Sequence, residues 1–143
     1  ARLGLAQLEK LDAWCHARAR LATHYFACLE GDDLLTADRL PPRANPGHSW
    51  NMFTVLLPLG EMAMTRRQFM EALQREGIGT GLSYEAIHLA SFWRGKGWRE
   101  GQFPVAERIG RETVTLPLFP SMTSGDVERV CEAARRAIRS RPA

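Results

Sequence analysis

The sequence predicts an α/β (α+β) domain in which a small sheet is covered by helices. Three observations lead there. Apolar residues recur at three- and four-residue steps over 5–29 and again over 127–138, the spacing of helix faces. Between them, 48–57 and 113–119 are short runs rich in aromatic and β-branched residues, each closed by a proline, which is the pattern of strands. Helices and short strands that alternate in this way pack as layers around one core. The chain has 143 residues, 45% of them hydrophobic, enough for one domain with an ordinary interior.

The elements follow in order. Leu8, Leu11, Cys15, Ala22, Phe26 and Leu29 line one face of a predicted helix over 5–29, with Gly31 as its stop. At about 1.5 Å per residue such a helix is long for a domain of this size, so it reads as a connecting strut over 1–30. Its apolar stripe needs a partner, and an isolated chain is expected to self-associate through it. The body of the domain is then 31–143. Pro41-Pro42, Asn45-Pro46 and Gly47 predict a surface loop over 31–47. The strand over 48–57 would place Trp50, Met52, Thr54 and Leu56 on one face and Asn51, Phe53, Val55 and Leu57 on the other. Thr65-Arg-Arg-Gln68 is a capping box that opens a helix over 65–76, ended by Gly77. Residues 78–84 predict a short strand, and 85–112 a mixture of helical turns and loop. A last helix starts at Thr123 with Asp126 three residues on, its buried stripe being Val127, Val130, Cys131, Ala134 and Ile138.

Charge and composition exclude several classes. The net charge is only +3, the signs alternate, and no basic stripe with aromatic platforms marks a nucleic-acid binder. All but two of the 19 basic residues are arginine, the lysines being Lys10 and Lys96. Cys15, Cys28 and Cys131 are odd in number and far apart, so neither a disulfide framework nor a metal site is predicted. No apolar run approaches the length of a membrane span, and no signal peptide opens the chain, which gives the expectation of a cytoplasmic protein. The chain begins inside a helical pattern without Met, so the expectation is a piece of a longer protein. Gly79-Thr-Gly81 is not a phosphate loop, because the third glycine is missing and a helix precedes it where a strand should.

Four stretches carry a resemblance to a known family: 4–12 with the helix through Tyr25, His48-Ser-Trp-Asn-Met-Phe53, Gly77-Ile-Gly-Thr-Gly-Leu-Ser-Tyr-Glu-Ala-Ile-His88, and Leu116-Pro-Leu-Phe-Pro-Ser-Met-Thr123. In this order and spacing they resemble the DegT/DnrJ/StrS sugar aminotransferases, most of all those acting on a keto sugar of a uridine nucleotide. The resemblance covers essentially the whole chain. It implies the small C-terminal domain of a fold-type I aminotransferase, with a mainly antiparallel sheet. It also implies a homodimer with pyridoxal phosphate as cofactor, and transfer of an amino group from glutamate to a keto sugar nucleotide in cell-envelope polysaccharide or lipopolysaccharide biosynthesis. The cofactor carries the electrons in that chemistry, while the protein orients and polarises. Neither Lys10 nor Lys96 matches the family's cofactor lysine, so this chain holds no catalytic or cofactor-binding residue of its own and is expected to be inactive alone.

For substrate contact the resemblance singles out His88, at a motif position that faces the cleft, where a neutral imidazole offers one donor and one acceptor. Tyr84 matches an aromatic position of the same motif, and Ser83 departs from a histidine common there. Asn51 stands where the family often has histidine; Trp50 beside it is read as core or as ligand platform. Arg94, Lys96 and Arg99, with Trp93 and Trp98, form a basic cluster that suits a diphosphate or simply a solvated loop. Two other readings remain: a stand-alone module that binds a sugar nucleotide or a protein without catalysis, and a fold-type I enzyme acting on amino acids, which would need a carboxylate-clamping arginine. A dehydratase-like member of the family is a further alternative.

Overall fold

The structure is a computed structural model that describes residues 2–43 and 47–140. Ala1 and the predicted Asn45-Pro46 turn lie outside the described residues. In chain order the elements are α1 (Arg2–Leu8), α2 (Leu11–Leu29), β1 (Phe53–Leu56), α3 (Arg66–Arg75), α4 (Ser91–Gly95), α5 (Pro104–Glu112), β2 (Thr113–Leu116) and α6 (Ser124–Arg139), with 3₁₀ turns at Ala37–Arg39 and Ile87–Leu89.

Antiparallel pairing of β1 with β2 sets Phe53 opposite Leu116 and Val55 opposite Val114. All four side chains are buried, and α2, α3 and α6 cover them. The helices present the stripes that sequence periodicity requires: Leu21, Ala22, Tyr25, Phe26 and Leu29 from α2, Phe69 and Leu73 from α3, and Val127, Val130, Cys131, Ala134 and Ile138 from α6. Both predicted capping boxes form. The Thr65 hydroxyl accepts from the Gln68 N–H at 3.3 Å, and the Thr123 hydroxyl accepts from the Asp126 N–H at 3.2 Å. In each, the acidic or amide side chain reaches back to the capping residue's own N–H at 2.8 Å.

The predicted single helix over 5–29 is instead two helices, interrupted at Glu9-Lys10. The division has a physical cause. Nothing in α1 is buried, and Leu3, Leu5, Leu8 and Leu11 are exposed, so packing holds the helix only from about Trp14 onward. The second half of the predicted strut is thus part of the core. After Gly31, whose φ of +77° suits the helix stop, buried Asp32 accepts from the Leu34 and Leu35 N–H groups and from Arg135 and Arg139 of α6. This ties the end of α2 to α6.

The strands are shorter than predicted. β1 starts only at Phe53, because Trp50 has the left-handed φ of +46° and turns its ring onto Phe26 and Phe53. That conformation costs about 1–2 kcal/mol in a non-glycine residue, which burial of the indole offsets. β2 ends at Leu116 rather than 119, where Pro117 begins the exit from the sheet. Residues 78–84 form a single bridge instead of a strand, Gly81 exchanging both backbone hydrogen bonds with Thr115.

Candidate functional site

The site is organised by one face of α5. Pro104 at the first helical position fixes the entry of this helix, and Glu107 and Gly110, three residues apart, lie on the same face. Gly110 admits the backbone of 85–86: a Cβ there would stand 2.6 Å from the Ala86 nitrogen. The chain that rests on Gly110 continues directly into the 3₁₀ turn Ile87–Leu89, which delivers His88 to Glu107. Arg66 from α3 donates to the Gly110 carbonyl and so ties α5 to the body of the domain.

His88 and Glu107 are both buried, with Nε2 of the ring 2.9 Å from Oε1 of the carboxylate. Glu107 also accepts from the Gly101 N–H, at 2.9 Å and 3.0 Å to its two oxygens, and from the Phe103 N–H at 3.1 Å. Burial pushes the Glu107 carboxyl up, but the two backbone donors and His88 together outweigh it and hold the group below the usual carboxylate range. The ionised carboxylate can only accept, so the His88 Nε2 carries the proton in this pair.

Around this pair lies an apolar hollow of about 300 Å³, lined by Ile87, His88, Trp93, Trp98, Phe103 and Ala106. That is the low end for ligand pockets, enough for part of a ligand. Phe103 packs edge-on against the imidazole at 4.8 Å, and Trp98 lies 5.5 Å from Phe103. The loop that carries the tryptophans turns at Gly97 and Gly101, with φ of +102° and +92°. Apart from Glu107 and Gly110, residues 91–110 are all exposed, so backbone donors and the Glu107 carboxylate, not a core, hold this loop in place.

The four residues singled out from sequence do not converge on this hollow. His88 lines it. Tyr84 is exposed on the surface four residues before it. Asn51 lines a separate cleft with Gly79, Gly81 and Pro117. Trp50 belongs to the core, its N–H donating to Nδ1 of His48 at 3.0 Å. The Ser83 hydroxyl is engaged with the Thr115 hydroxyl at 2.8 Å. In the basic cluster, Arg99 turns onto the carbonyls of Arg94 and Trp98, and Lys96 sits over the Phe92 ring. Glu107 is the functional candidate that sequence reasoning missed; the signal present is an acidic residue in the first turn of a proline-started helix.

The sequence profile of the DegT/DnrJ/EryC1/StrS aminotransferase family matches residues 1–135. The chain belongs to this family. A relative described as an uncharacterised protein of Methanocaldococcus jannaschii is 30% identical over 142 residues, which cover 96% of this chain and 36% of that protein. Among solved structures, the aminotransferase TlmJ of Streptoalloteichus hindustanus is 31% identical with a TM-score of 0.76, over 94% of this chain and 34% of that one. DesV of S. venezuelae, solved in complex with a ketimine intermediate, is 29% identical with a TM-score of 0.80, over 96% and 35%. The chain thus spans about a third of the length of the relatives it matches, and its helices and antiparallel strand pair have the fold of the matching part of these aminotransferases.

Proposed function

We propose that this chain is the part of a pyridoxal-phosphate-dependent sugar aminotransferase that completes the substrate side of the cleft. The parent enzyme moves an amino group from glutamate to a keto sugar nucleotide. Membership of the aminotransferase family over residues 1–135 carries the reading, and about 30% identity to TlmJ and DesV supports it. In this reading His88 contacts the sugar in the hollow between Trp93, Trp98 and Phe103. In the same reading Tyr84, on the surface, and Asn51, in its separate cleft, contact other parts of the substrate, while Trp50 packs in the core.

The residues of this chain do not fit the cofactor. Lys10 rests over Trp14 and Lys96 over Phe92, and neither is among the residues that line the hollow at His88 or the cleft at Asn51. In the proposed reading the side chains of this chain bind and orient the sugar, and the steps of the transfer fall to the rest of the protein. The exposed apolar residues near the hollow, Ile87, Phe92 and Val105, suit burial in a homodimer with active sites at the subunit junction. Action in the cytoplasm, on precursors of cell-envelope polysaccharide, completes the reading; no helix among the described residues is long and apolar enough to cross a membrane.

The test compares the intact protein with the 143-residue chain, each supplied with pyridoxal phosphate, glutamate and a panel of keto sugar nucleotides, scoring formation of 2-oxoglutarate. The expected result is turnover by the intact protein alone. Turnover with keto acids but with no sugar nucleotide would replace the proposed substrate class, and turnover by the chain itself would overturn its assignment as the non-catalytic part.

A further inference from the structure

Among the described residues, Nδ1 of His88 makes no hydrogen bond, while Nε2 is taken by Glu107. No side-chain nitrogen or oxygen that is sealed from solvent lacks a partner among those residues. The Nδ1 atom is therefore not sealed off, and His88 is one of the residues that line the hollow. The walls of the hollow are almost wholly apolar, so a polar group at its edge would stand out to a ligand.

We infer that Glu107 is a positioning residue that fixes His88 in the Nε2–H form, so that Nδ1 presents a lone pair and the hollow selects a hydroxyl or amine donor of the ligand. A phosphate oxygen is not the group received there. Hydrogen-bond capacity places a proton on Nε2, and in the neutral ring Nδ1 is then the bare nitrogen. A carboxylate accepts and never donates, and this one already accepts from Gly101 and Phe103. The imidazole, held edge-on by Phe103, can satisfy it only through Nε2–H. One carboxylate thus sets both the shape of the loop, through 101 and 103, and the polarity of the nitrogen that faces the ligand. Replacing Glu107 by glutamine supplies an amide that can donate instead, which lets the ring carry its proton on Nδ1 and turns the acceptor into a donor.

The inference rests on the proposed reaction only for the identity of the ligand as the sugar of a keto sugar nucleotide. Its test is ¹⁵N NMR of the histidine-labelled intact protein, with the His88 signals assigned by their loss in His88→Gln. A bare, acceptor-type Nδ1 and a protonated Nε2 in the unmodified protein are expected. In Glu107→Gln the protonated form at Nδ1 should gain population, trypsin should cut faster after Arg94, Lys96 and Arg99, and KM for the sugar nucleotide should rise about tenfold with kcat changed far less, the size of one lost hydrogen bond. A protonated Nδ1 in the unmodified protein overturns the inference, as does a Glu107→Gln protein that shifts the proton yet keeps its KM. The first of these readings needs no variant, so a poorly folding Glu107→Gln leaves the inference open to refutation. A protein that aminates no sugar nucleotide would fail the proposed reaction, while the NMR signals would still decide the state of the pair.

Discussion

Replacing Gly110 by alanine separates two physical effects that oppose each other. In the interior of a helix, alanine is favoured over glycine by about 0.5–1 kcal/mol, so propensity alone predicts that α5 gains stability. The structure predicts the reverse. The new Cβ would stand 2.6 Å from the Ala86 nitrogen and 3.3 Å from the Glu85 carbonyl carbon, both backbone atoms that no rotamer change can move. Overpacking of this kind costs about 1–3 kcal/mol, and an obstacle made of backbone places it at the upper end. The net loss is about 2 kcal/mol, or a fall in Tm of about 7 °C for a domain of this size. Because 85–86 must lift from α5, the His88–Glu107 contact should loosen with it. The assay is a thermal melt of Gly110→Ala beside Gly125→Ala, where the nearest atom to the new Cβ is the Thr123 hydroxyl at 3.8 Å and no loss is expected. A Gly110→Ala chain that melts at or above the unmodified one would refute the close approach, and with it the way α5 carries the His88 segment.

Other expectations follow from the same geometry. Tyr25 is fully buried and donates to the Pro117 carbonyl at 2.8 Å, so Tyr25→Phe should cost about 1–2 kcal/mol in a denaturant titration by leaving that carbonyl unpaired; an unchanged midpoint would contradict this. Burial pushes the Asp32 carboxyl up, but the Leu34 and Leu35 amides, Arg135 and Arg139 outweigh it and hold it below its usual value, and Glu107 is lowered in the same sense. A lowered folded-state pKa contributes stability that is complete above the unfolded value, about 4, and is lost as pH falls through the folded one. Tm should accordingly be flat with respect to these two groups above about pH 5 and fall on acidification, with Asp32→Asn showing a shallower acid limb; an equally steep limb in that variant would contradict the role given to Asp32. Burial pushes the Cys131 thiol up to about 12, while Cys15 and Cys28 are half-buried, so a native-state alkylating reagent should label Cys131 last, as mass spectrometry of peptides would read.

What could be read from the sequence and what could not divide along the range of the interactions. The two capping boxes and the stripe of α6 are local patterns, complete within a turn or two of chain, and each appears where the residues predict it. The strand limits depend on pairing across the sheet. Trp50 looks like a strand residue by type, yet its ring is drawn into the core by Phe26 and Phe53, and the backbone turns to let it in. The break at Glu9-Lys10 depends on which leucines find a partner, and a hydrophobic stripe does not say where its partner ends. In the candidate site, His88 is accessible through its motif. Glu107 is not, because its meaning comes from a contact across 19 residues and from two amides of a loop that has no periodic signal. The glycine that permits that contact, Gly110, falls in a stretch that the sequence reads only as a mixture of helical turns and loop.

The central claim is that the protein containing this chain aminates a sugar nucleotide, with this domain holding the sugar. The most direct measurement supplies the intact protein with pyridoxal phosphate, ¹⁵N-glutamate and a keto sugar nucleotide, and follows the sugar nucleotide by mass spectrometry. The expected product has its keto oxygen replaced by an amine that carries the ¹⁵N label, and forms with a raised KM in His88→Gln. A product that has lost an oxygen without gaining the label, or no nitrogen transfer to any sugar nucleotide, would contradict the claim.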